Sequence, residues 1–171
     1  MYQVNEVVLH CRTGVSKITG IVKAKFPGSE EKNYYALVPV NEKSGITIYV
    51  PVDDPTKIRN LVTPEEIDEL IQRIPDEKTI WIEDDKERRV VYSKLLTDYN
   101  REDMVRLIKT IYLKRQELKT RKRRINYYEA NVMDEAEKML YGEFGYVLGI
   151  APSQVPDYIN RQLEKAGVAS L

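Results

Sequence analysis

The hydrophobic pattern of this chain changes at Thr63, and this change constrains the fold more than any other feature. Before Thr63, four segments rich in Val, Ile, Thr and Tyr have the character of short strands: VNEVVLH, VSKITGIVKAKF, NYYALVPV and ITIYVPV. Turn-forming residues at 12–14, 27–29 and 41–45 separate them. After Thr63, apolar residues recur at helical spacing. We therefore predict an α+β fold in which a small, strongly bent sheet or barrel precedes an all-helical bundle.

Start and stop signals predict the helices of the second half. Thr63 can cap a helix that Pro64 opens, and Glu66 can reach back to complete a capping box. Asn126 is a second capping residue. We predict helices over 63–75, 86–96, 101–118, from Asn126 to Gly149, and from Ser153 or Pro156 to Gly167, with a connector at 76–85. In the second of these helices, we expect Val90, Val91 and Leu95 to lie on the buried side.

Size and composition predict a folded protein of the cytoplasm. The chain has 171 residues, of which 42% are hydrophobic and 32% charged, and Cys11 is its one cysteine. The sequence contains no apolar run near the roughly 20 residues that span a bilayer, and it does not open with a signal peptide. We therefore expect a protein without disulfides that works in a reducing compartment and does not contact a membrane.

Positive charge is concentrated in one segment of a chain whose net charge is zero. Residues 101–128 carry ten basic and three acidic side chains, a net charge of +7, while the segments on either side are acidic. Such asymmetry is informative about partners rather than about fold. Five of the basic residues lie within six positions: Lys119, Arg121, Lys122, Arg123 and Arg124.

Two interpretations of this basic run are open. The apolar stripe of the 101–118 helix cannot continue to Lys122, because Arg115 and Lys119 lie near its direction. Either the helix extends beyond the bundle, or it ends near Leu118 and a loop follows; both arrangements leave the basic side chains exposed. The run is then a solvated surface, or it contacts nucleic-acid phosphates without reading sequence. We expect it to lack acidic partners at i,i+4 spacing, which keeps phosphate binding open.

Trp81 is the only tryptophan of the chain and lies in the connector. One interpretation is a core anchor between the two modules, since tryptophan is usually well buried. The other is an exposed apolar wedge beside the basic surface, of the kind that inserts at base steps of the DNA minor groove. The sequence leaves both open.

Residues that usually carry catalysis or bind metals are sparse. His10 is the only histidine and adjoins Cys11, but consecutive strand residues point to opposite faces, so we expect no dyad. One histidine and one cysteine also argue against a zinc site. The carboxylate clusters at 53–54 and 83–85 are interpreted as solvated linker residues. We therefore predict a protein that is not an enzyme and has no metal or cofactor.

An ordered series of segments extends along nearly the whole chain. It consists of NEVVLHCRTGVSKITGI at 5–21, GSEEKNYYALVPV at 28–40, ITIYVPVDD at 46–54, IRNLVTPEEIDELI at 58–71, RRVVYSKLLTDYNREDMVRLIKTIYLKRQE at 88–117 and DEAEKMLYGEFGYVLG at 134–149. In this series the chain resembles the CarD/CdnL-type bacterial transcription regulators, whose N-terminal module is shared with the transcription-repair coupling factor. The order of the segments, rather than any single motif, carries the resemblance.

The resemblance implies a division of labour between two domains. Residues 1–62 would form a Tudor/SH3-like β-barrel that binds the RNA polymerase β subunit through an exposed strand, a mode that suits a small sheet. The matching contact positions are Lys23, Lys25, Phe26 and Tyr49. Residues 63–171, with a connecting helix and linker at 63–85, would contact promoter DNA near the upstream edge of the melted bubble and stabilise the open complex.

One departure from the family concerns a tryptophan. In well-known members, a tryptophan at the start of the first C-terminal helix wedges into the minor groove, and Asp85 occupies the matching position here. Arg88 and Arg89 follow it. Either Trp81, four residues earlier, takes the role from a shifted helix start, or the protein relies on polymerase binding and phosphate contacts.

These observations predict a monomeric, cytoplasmic and nucleoid-associated regulator of transcription initiation. Its partners would be the RNA polymerase β subunit and, weakly and without sequence specificity, promoter DNA. The candidate DNA-binding residues are Trp81, Arg88, Arg89, Lys119, Arg121, Lys122, Arg123 and Arg124. The alternative is a protein–protein adaptor, whose β module binds a peptide and whose helices dimerise or hold another protein without DNA contact.

Overall fold

The computed structural model has the predicted α+β architecture and describes residues 1–28, 30–41 and 45–167. The chain forms two compact units, residues 1–61 and 62–171. Parts of the turns predicted at 27–29 and 41–45, and the last four residues of the predicted helical domain, lie outside the described residues.

The N-terminal unit contains one antiparallel sheet of five strands. In spatial order these are β4 (Ile48–Pro51), β3 (Lys32–Pro39), β2 (Gly14–Ala24), β1 (Val7–His10) and β5 (Ile58–Arg59). Within the described part of the chain, no pairing joins β4 to β5, so the sheet is open and the Tudor/SH3-like barrel stays a prediction. The two-residue strand β5 was not predicted, because it is too short to show a period and is defined by its pairing with β1.

The long strand β2 organises this sheet. It pairs with β3 along most of its length and with β1 only through its first residues, and its register shifts between Ile18 and Gly20. A bulge of this kind bends the strand and increases its local twist. The bent sheet covers one apolar core, which consists of Val8, Ile18, Tyr35, Leu37, Val50 and Ile58.

The C-terminal unit consists of five α-helices in the described residues. These are α1 (Pro64–Arg73), α2 (Asp85–Asp98), α3 (Arg101–Thr120), α4 (Tyr127–Leu148) and α5 (Val155–Lys165). All five were predicted, with bounds that differ by a few residues. Their largest fully buried side chains include Ile67, Ile71, Tyr92, Tyr99, Met104, Leu107, Ile111 and Phe144.

The predicted capping signals are confirmed. In the capping box of α1, the Thr63 N–H donates to Glu66 Oε2 at 2.8 Å, and the Glu66 N–H donates to Thr63 Oγ1 at 3.2 Å. The Asn126 side chain accepts from the Glu129 N–H at 3.1 Å at the start of α4. Gly149 ends α4 with a left-handed backbone, at φ +66°. Two further caps were not predicted: Asp84 at α2 and Asn100 at α3.

The buried side of α2 differs from the predicted one. Val90 was predicted to be buried, but it is 71% exposed. The buried residues of α2 are instead Arg88 and Tyr92. The apolar residues of this helix do not form a continuous stripe, so polar contacts of Arg88 contribute to its orientation in place of a regular apolar face.

A Schellman motif ends α3 and shapes the basic run. The Arg123 N–H donates to Leu118 O at 2.8 Å, and the Lys122 N–H donates to Lys119 O at 3.0 Å. The helix therefore ends at Thr120, two residues beyond one predicted end. Lys122 adopts the left-handed conformation, at φ +54°, that glycine usually supplies in this motif.

We predict that Lys122→Gly stabilises the protein. Glycine has no Cβ and removes the steric cost of the left-handed backbone, so the free energy of unfolding should rise by about 1 kcal/mol. Chemical denaturation measures the change. The control is Lys119→Gly, where helical backbone should make glycine destabilising by about 0.5–1 kcal/mol. Equal effects of the two variants would contradict the prediction.

Candidate functional site

The outer face of the sheet, opposite its core, carries apolar side chains. Because side chains alternate along a strand, Tyr35 of β3 enters the core while Tyr34 points to the other face. The strand pairings place Val22 beside Tyr34 and Tyr49 beside Ala36 on this outer face. An apolar face of this kind is a candidate protein-binding surface.

Three aromatic residues on this face, Phe26, Tyr34 and Tyr49, form an aromatic cluster. The ring centroids of Phe26 and Tyr34 are 4.9 Å apart at nearly right angles, and those of Phe26 and Tyr49 are 5.4 Å apart. Phe26 is 37% and Tyr49 43% exposed, whereas Tyr34 is buried beneath them. The cluster is therefore held by one edge-to-face pair and one tilted pair of rings, and it still presents two rings to solvent. Both exposed rings were predicted as polymerase contacts.

Ion pairs are found at the same end of the sheet. Lys23 Nζ lies 2.7 Å from Glu31 Oε2, and Lys32 Nζ lies 2.9 Å from Asp53 Oδ2. The hydrogen bond from Lys32 lowers the pKa of the Asp53 carboxyl below its ordinary value. Lys25 is exposed one residue beyond β2. The two predicted lysines are thus exposed and lie within three residues of Phe26 in the sequence. Lys23 already has an acidic partner in Glu31.

The second half of β2 has an open edge. The last pair between β1 and β2 is Val7 with Lys17, so residues 19–24 have only β3 beside them among the described strands. Asn33 O accepts from the Val52 N–H, so the backbone groups of Asn33 point toward β4. Asn33 is paired with Lys23 of β2, and in an antiparallel pair of this kind the backbone groups of Lys23 point away from β3, toward the open edge. A peptide strand could add at this edge.

In the C-terminal unit, the basic turn is the surface formed by Lys119 and residues 121–124. All five basic side chains are exposed. The expectation that the run lacks i,i+4 acidic partners was wrong, because Glu117 Oε1 lies 3.2 Å from Arg121 Nη2. Glu117 also pairs with Lys114, and that hydrogen bond lowers the pKa of its carboxyl. Cations at the end of α3 also complement the negative end of the helix dipole.

Trp81 lies within the C-terminal unit and is only partly exposed. Two cations lie over its ring, with the Arg88 guanidinium 4.4 Å and the Lys114 ammonium 4.8 Å from the ring centroid. The indole Nε1 is buried. This arrangement favours a packing role for Trp81 over that of an exposed wedge.

Arg88 is buried and therefore is not available to contact DNA. Its Nε lies 2.8 Å from Glu129 Oε1, its guanidinium also pairs with Asp85, and a further N–H donates to Ile82 O. Arg88 is 3% and Glu129 1% exposed. This buried ion pair joins α2 to α4. The sequence showed two adjacent arginines but not that one of them has a partner 41 positions away.

Arg89 has the opposite environment from Arg88. It is exposed, and its guanidinium lies 4.7 Å from the ring centroid of Tyr128. The Tyr128 hydroxyl donates to Arg89 O at 3.1 Å and lies 3.3 Å from Ser93 Oγ. Arg89 is therefore an oriented cation on the surface, close to the start of α4.

The carboxylate clusters at 53–54 and 83–85 are exposed, as predicted, and two of their members also cap helices. Asp54 caps a short 3-10 helix, and Asp84 caps α2 through the Glu87 N–H at 2.8 Å. His10 is buried, and burial lowers its imidazole pKa below the ordinary value. Its Nδ1 lies 2.9 Å from Thr13 Oγ1 rather than against a thiol. The described residues contain no group of three or more side chains that could hold a metal ion.

A cavity of about 250 Å³ lies among α1, α3, α4 and α5. Most of its lining is aliphatic or aromatic, and Glu137 is the one carboxylate among the described lining residues. Burial, with a contribution from Asp134, raises the pKa of the Glu137 carboxyl above its ordinary value. Burial also raises the pKa of the neighbouring Tyr141 hydroxyl, which stays protonated at neutral pH. The lining therefore lacks the two carboxyl groups of contrasting pKa that paired acid–base catalysis uses.

Comparison with protein families identifies the N-terminal unit. Residues 2–62 match the family described as the CarD-like/TRCF RID domain, in which the aromatic cluster and the open edge of β2 both lie. The N-terminal unit is thus similar to the CarD-like/TRCF RID domain over nearly all of its residues. A search of curated proteins finds no match to the chain. The helices within the described ranges include none with the length and apolar character needed to cross a membrane.

We predict opposite consequences for two neighbouring arginines. Arg88→Ala leaves Glu129 as a buried, unpaired charge and should lower the free energy of unfolding by about 3–5 kcal/mol. Arg89→Ala removes an exposed cation–π contact and should cost no more than about 1 kcal/mol. Thermal and urea unfolding of both variants provide the comparison. Similar losses of stability would contradict the structural role of Arg88.

Proposed function

We propose that the protein is a regulator of transcription initiation that binds the RNA polymerase β subunit and stabilises the open promoter complex through DNA contacts. The observation that carries the proposal is the CarD-like/TRCF RID domain at residues 2–62, which supports RNA polymerase binding and a CarD-like role in transcription. The contact with the β subunit, the contact with promoter DNA and the stabilisation of the open complex go beyond this match and belong to the proposal.

The N-terminal unit supports the polymerase contact in two ways. The open edge of β2 offers backbone groups to an added strand, which gives affinity without much dependence on sequence. The aromatic cluster on the adjoining face presents Phe26 and Tyr49, and aromatic anchors of this kind often dominate the energy of an interface. Lys23 and Lys25 would then set the charge preference at the rim.

We predict that Tyr49→Ser weakens binding of the full chain to RNA polymerase. Loss of a central aromatic anchor costs about 2 kcal/mol or more, or roughly a 30-fold rise in Kd. Phe26→Ser should act in the same direction. Surface plasmon resonance with purified polymerase measures the change, and isolated β subunit identifies the contacted subunit.

The control for this experiment is Tyr146→Ser, which removes a tyrosine of similar exposure, 41%, from the C-terminal unit. It should bind polymerase like the unmodified protein. If all three variants bind alike, the outer face of the sheet is not the polymerase contact. If polymerase binds but the isolated β subunit does not, the assignment of that subunit is wrong.

The DNA contact rests on the basic turn and Arg89. Five exposed cations lie within six positions at the end of α3, and among the described residues only Arg121 of these five has an acidic partner in an ion pair. Such groups contact phosphates and do not distinguish bases. Trp81 and Arg88 support this surface from within the helical unit instead of touching DNA.

Weak DNA affinity is sufficient for the proposed function. Few phosphates are contacted, so the free protein should bind DNA weakly and with strong salt dependence. Binding to polymerase places the basic turn near the promoter and raises its effective concentration. A contact that prefers melted DNA shifts the equilibrium toward the open complex by its differential affinity for the two states.

We predict that Arg121→Gln/Arg123→Gln/Arg124→Gln lowers the salt dependence of duplex binding. Three lost phosphate contacts should reduce the slope of log Kobs against log salt concentration by about 2 to 3. Fluorescence anisotropy with a labelled promoter duplex at several salt concentrations gives the slope.

A triple variant of equal net charge tests whether position matters. Lys138→Gln/Arg161→Gln/Lys165→Gln removes three exposed cations elsewhere in the helical unit and should leave the slope nearly unchanged. Equal slopes for the two variants would refute the assigned DNA surface. Polymerase binding without any DNA contribution would instead support an adaptor.

The remaining parts of the proposal concern what the protein does not require. We propose a monomer that works at the nucleoid without catalytic chemistry, metal or cofactor. The cavity in the helical unit has only one carboxylate in its lining, and the clusters of acids elsewhere are used as caps and ion pairs. These observations support a binding protein rather than an enzyme.

A further inference from the structure

Tyr127 is the most exposed aromatic residue of the described chain and has no role in the contacts discussed above. It is 82% exposed and is the first residue of α4. Single exposed apolar residues are ordinary on protein surfaces. Tyr127 differs from the ordinary case in its setting, because it begins a helix only three positions after the last arginine of the basic turn.

The backbone beneath Tyr127 is fixed on both sides. On one side, the Schellman motif at the end of α3 fixes the turn through the Arg123 N–H bond to Leu118 O. On the other side, Asn126 caps α4 by accepting from the Glu129 N–H. Glu129 is itself anchored by the buried ion pair with Arg88. The ring therefore projects from a supported position and not from a loose loop.

The neighbouring tyrosine shows why Tyr127 is the available ring. Tyr128 directs its hydroxyl to Arg89 O, and its ring is in contact with the Arg89 guanidinium. It is thus engaged with α2 and only partly exposed. Tyr127 is the preceding residue of α4 and leaves its ring exposed, and the basic turn comes just before it in the chain.

We infer that Tyr127 is a stacking platform for an unpaired base, and that the basic turn and Arg89 hold the phosphates of the same single strand. This inference rests on the proposed DNA contact and specifies the form of DNA that the site prefers. Proteins that bind single strands combine a positively charged track with aromatic rings on which bases stack. In a duplex, each base is already stacked on its neighbours, so Tyr127 adds little there, while phosphate contacts serve both forms.

The site therefore supplies a preference for melted over paired DNA. Stacking is worth roughly 5- to 150-fold in affinity for one base. The preference needs no wedge at the start of α2, where Asp85 pairs with Arg88. It also needs no sequence reading, because every base has a flat face.

The test compares labelled DNA of about 12 nucleotides, single-stranded and as a duplex of the same sequence, with the full chain by fluorescence anisotropy. Tyr127→Ala should weaken single-strand binding by roughly 5- to 150-fold and change duplex binding by less than about twofold. The salt slope should be unchanged, since no phosphate contact is lost. Tyr127→Phe keeps the ring and should bind like the unmodified protein.

Tyr146→Ala is the matched control, because it removes another exposed tyrosine of α4 and should leave both affinities unchanged. The inference is overturned if Tyr127→Ala leaves single-strand binding unchanged, if it weakens duplex binding equally, or if Tyr127→Phe loses as much as alanine. Its failure is distinguishable from failure of the proposed function. In the former case the arginine triple variant still lowers the salt slope of duplex binding, and in the latter case it does not.

Discussion

The helical unit depends on one buried ion pair, between Arg88 and Glu129. Two charges without water are costly, and their attraction compensates only when the remaining hydrogen-bonding groups are also satisfied. Arg88 meets this condition through Asp85 and the carbonyl oxygen of Ile82, whereas Glu129 Oε2 is buried with no hydrogen-bond partner among the described residues. The pair fixes the first turn of α2 against the first turn of α4, and it covers one face of Trp81. The surface residues Arg89, Tyr127 and Tyr128 owe their arrangement to this buried contact.

A second buried carboxylate follows the same logic. Glu143 is fully buried and accepts from the guanidinium of Arg101 and from the Val62 N–H at 2.9 Å. Each acid is on α4 and each arginine is near the start of another helix. In the helical unit, α4 therefore carries two buried carboxylates, and each of them orients a neighbouring helix. This arrangement supports specificity of packing more than net stability, because desolvation offsets much of the attraction.

Local signals predicted most of the fold. Thr63 and Asn126 carry capping chemistry that is complete within four residues, so the starts of α1 and α4 followed from the sequence. Features that depend on distant partners did not follow. Arg88 and Arg89 are adjacent and chemically identical, and only the fold places Glu129 beside one of them. Val90 was misassigned because the burial of α2 follows the ion pair and not an apolar period. For the candidate site, the exposed basic run was predictable from its one-signed charge, whereas Tyr127 gives no signal until its exposure is known.

The open edge of β2 has a consequence for the free protein. Unpaired backbone groups on a strand are a template on which another copy of the same chain can pair, and such pairing leads to aggregation. Lys23 and Lys25 lie in or just beyond this segment, and both are exposed. Charged side chains on a strand edge disfavour such pairing, and here Lys25 is accompanied by the ion pair of Lys23 with Glu31. The lysines that we predict to contact a partner thus also act against aggregation of the free strand.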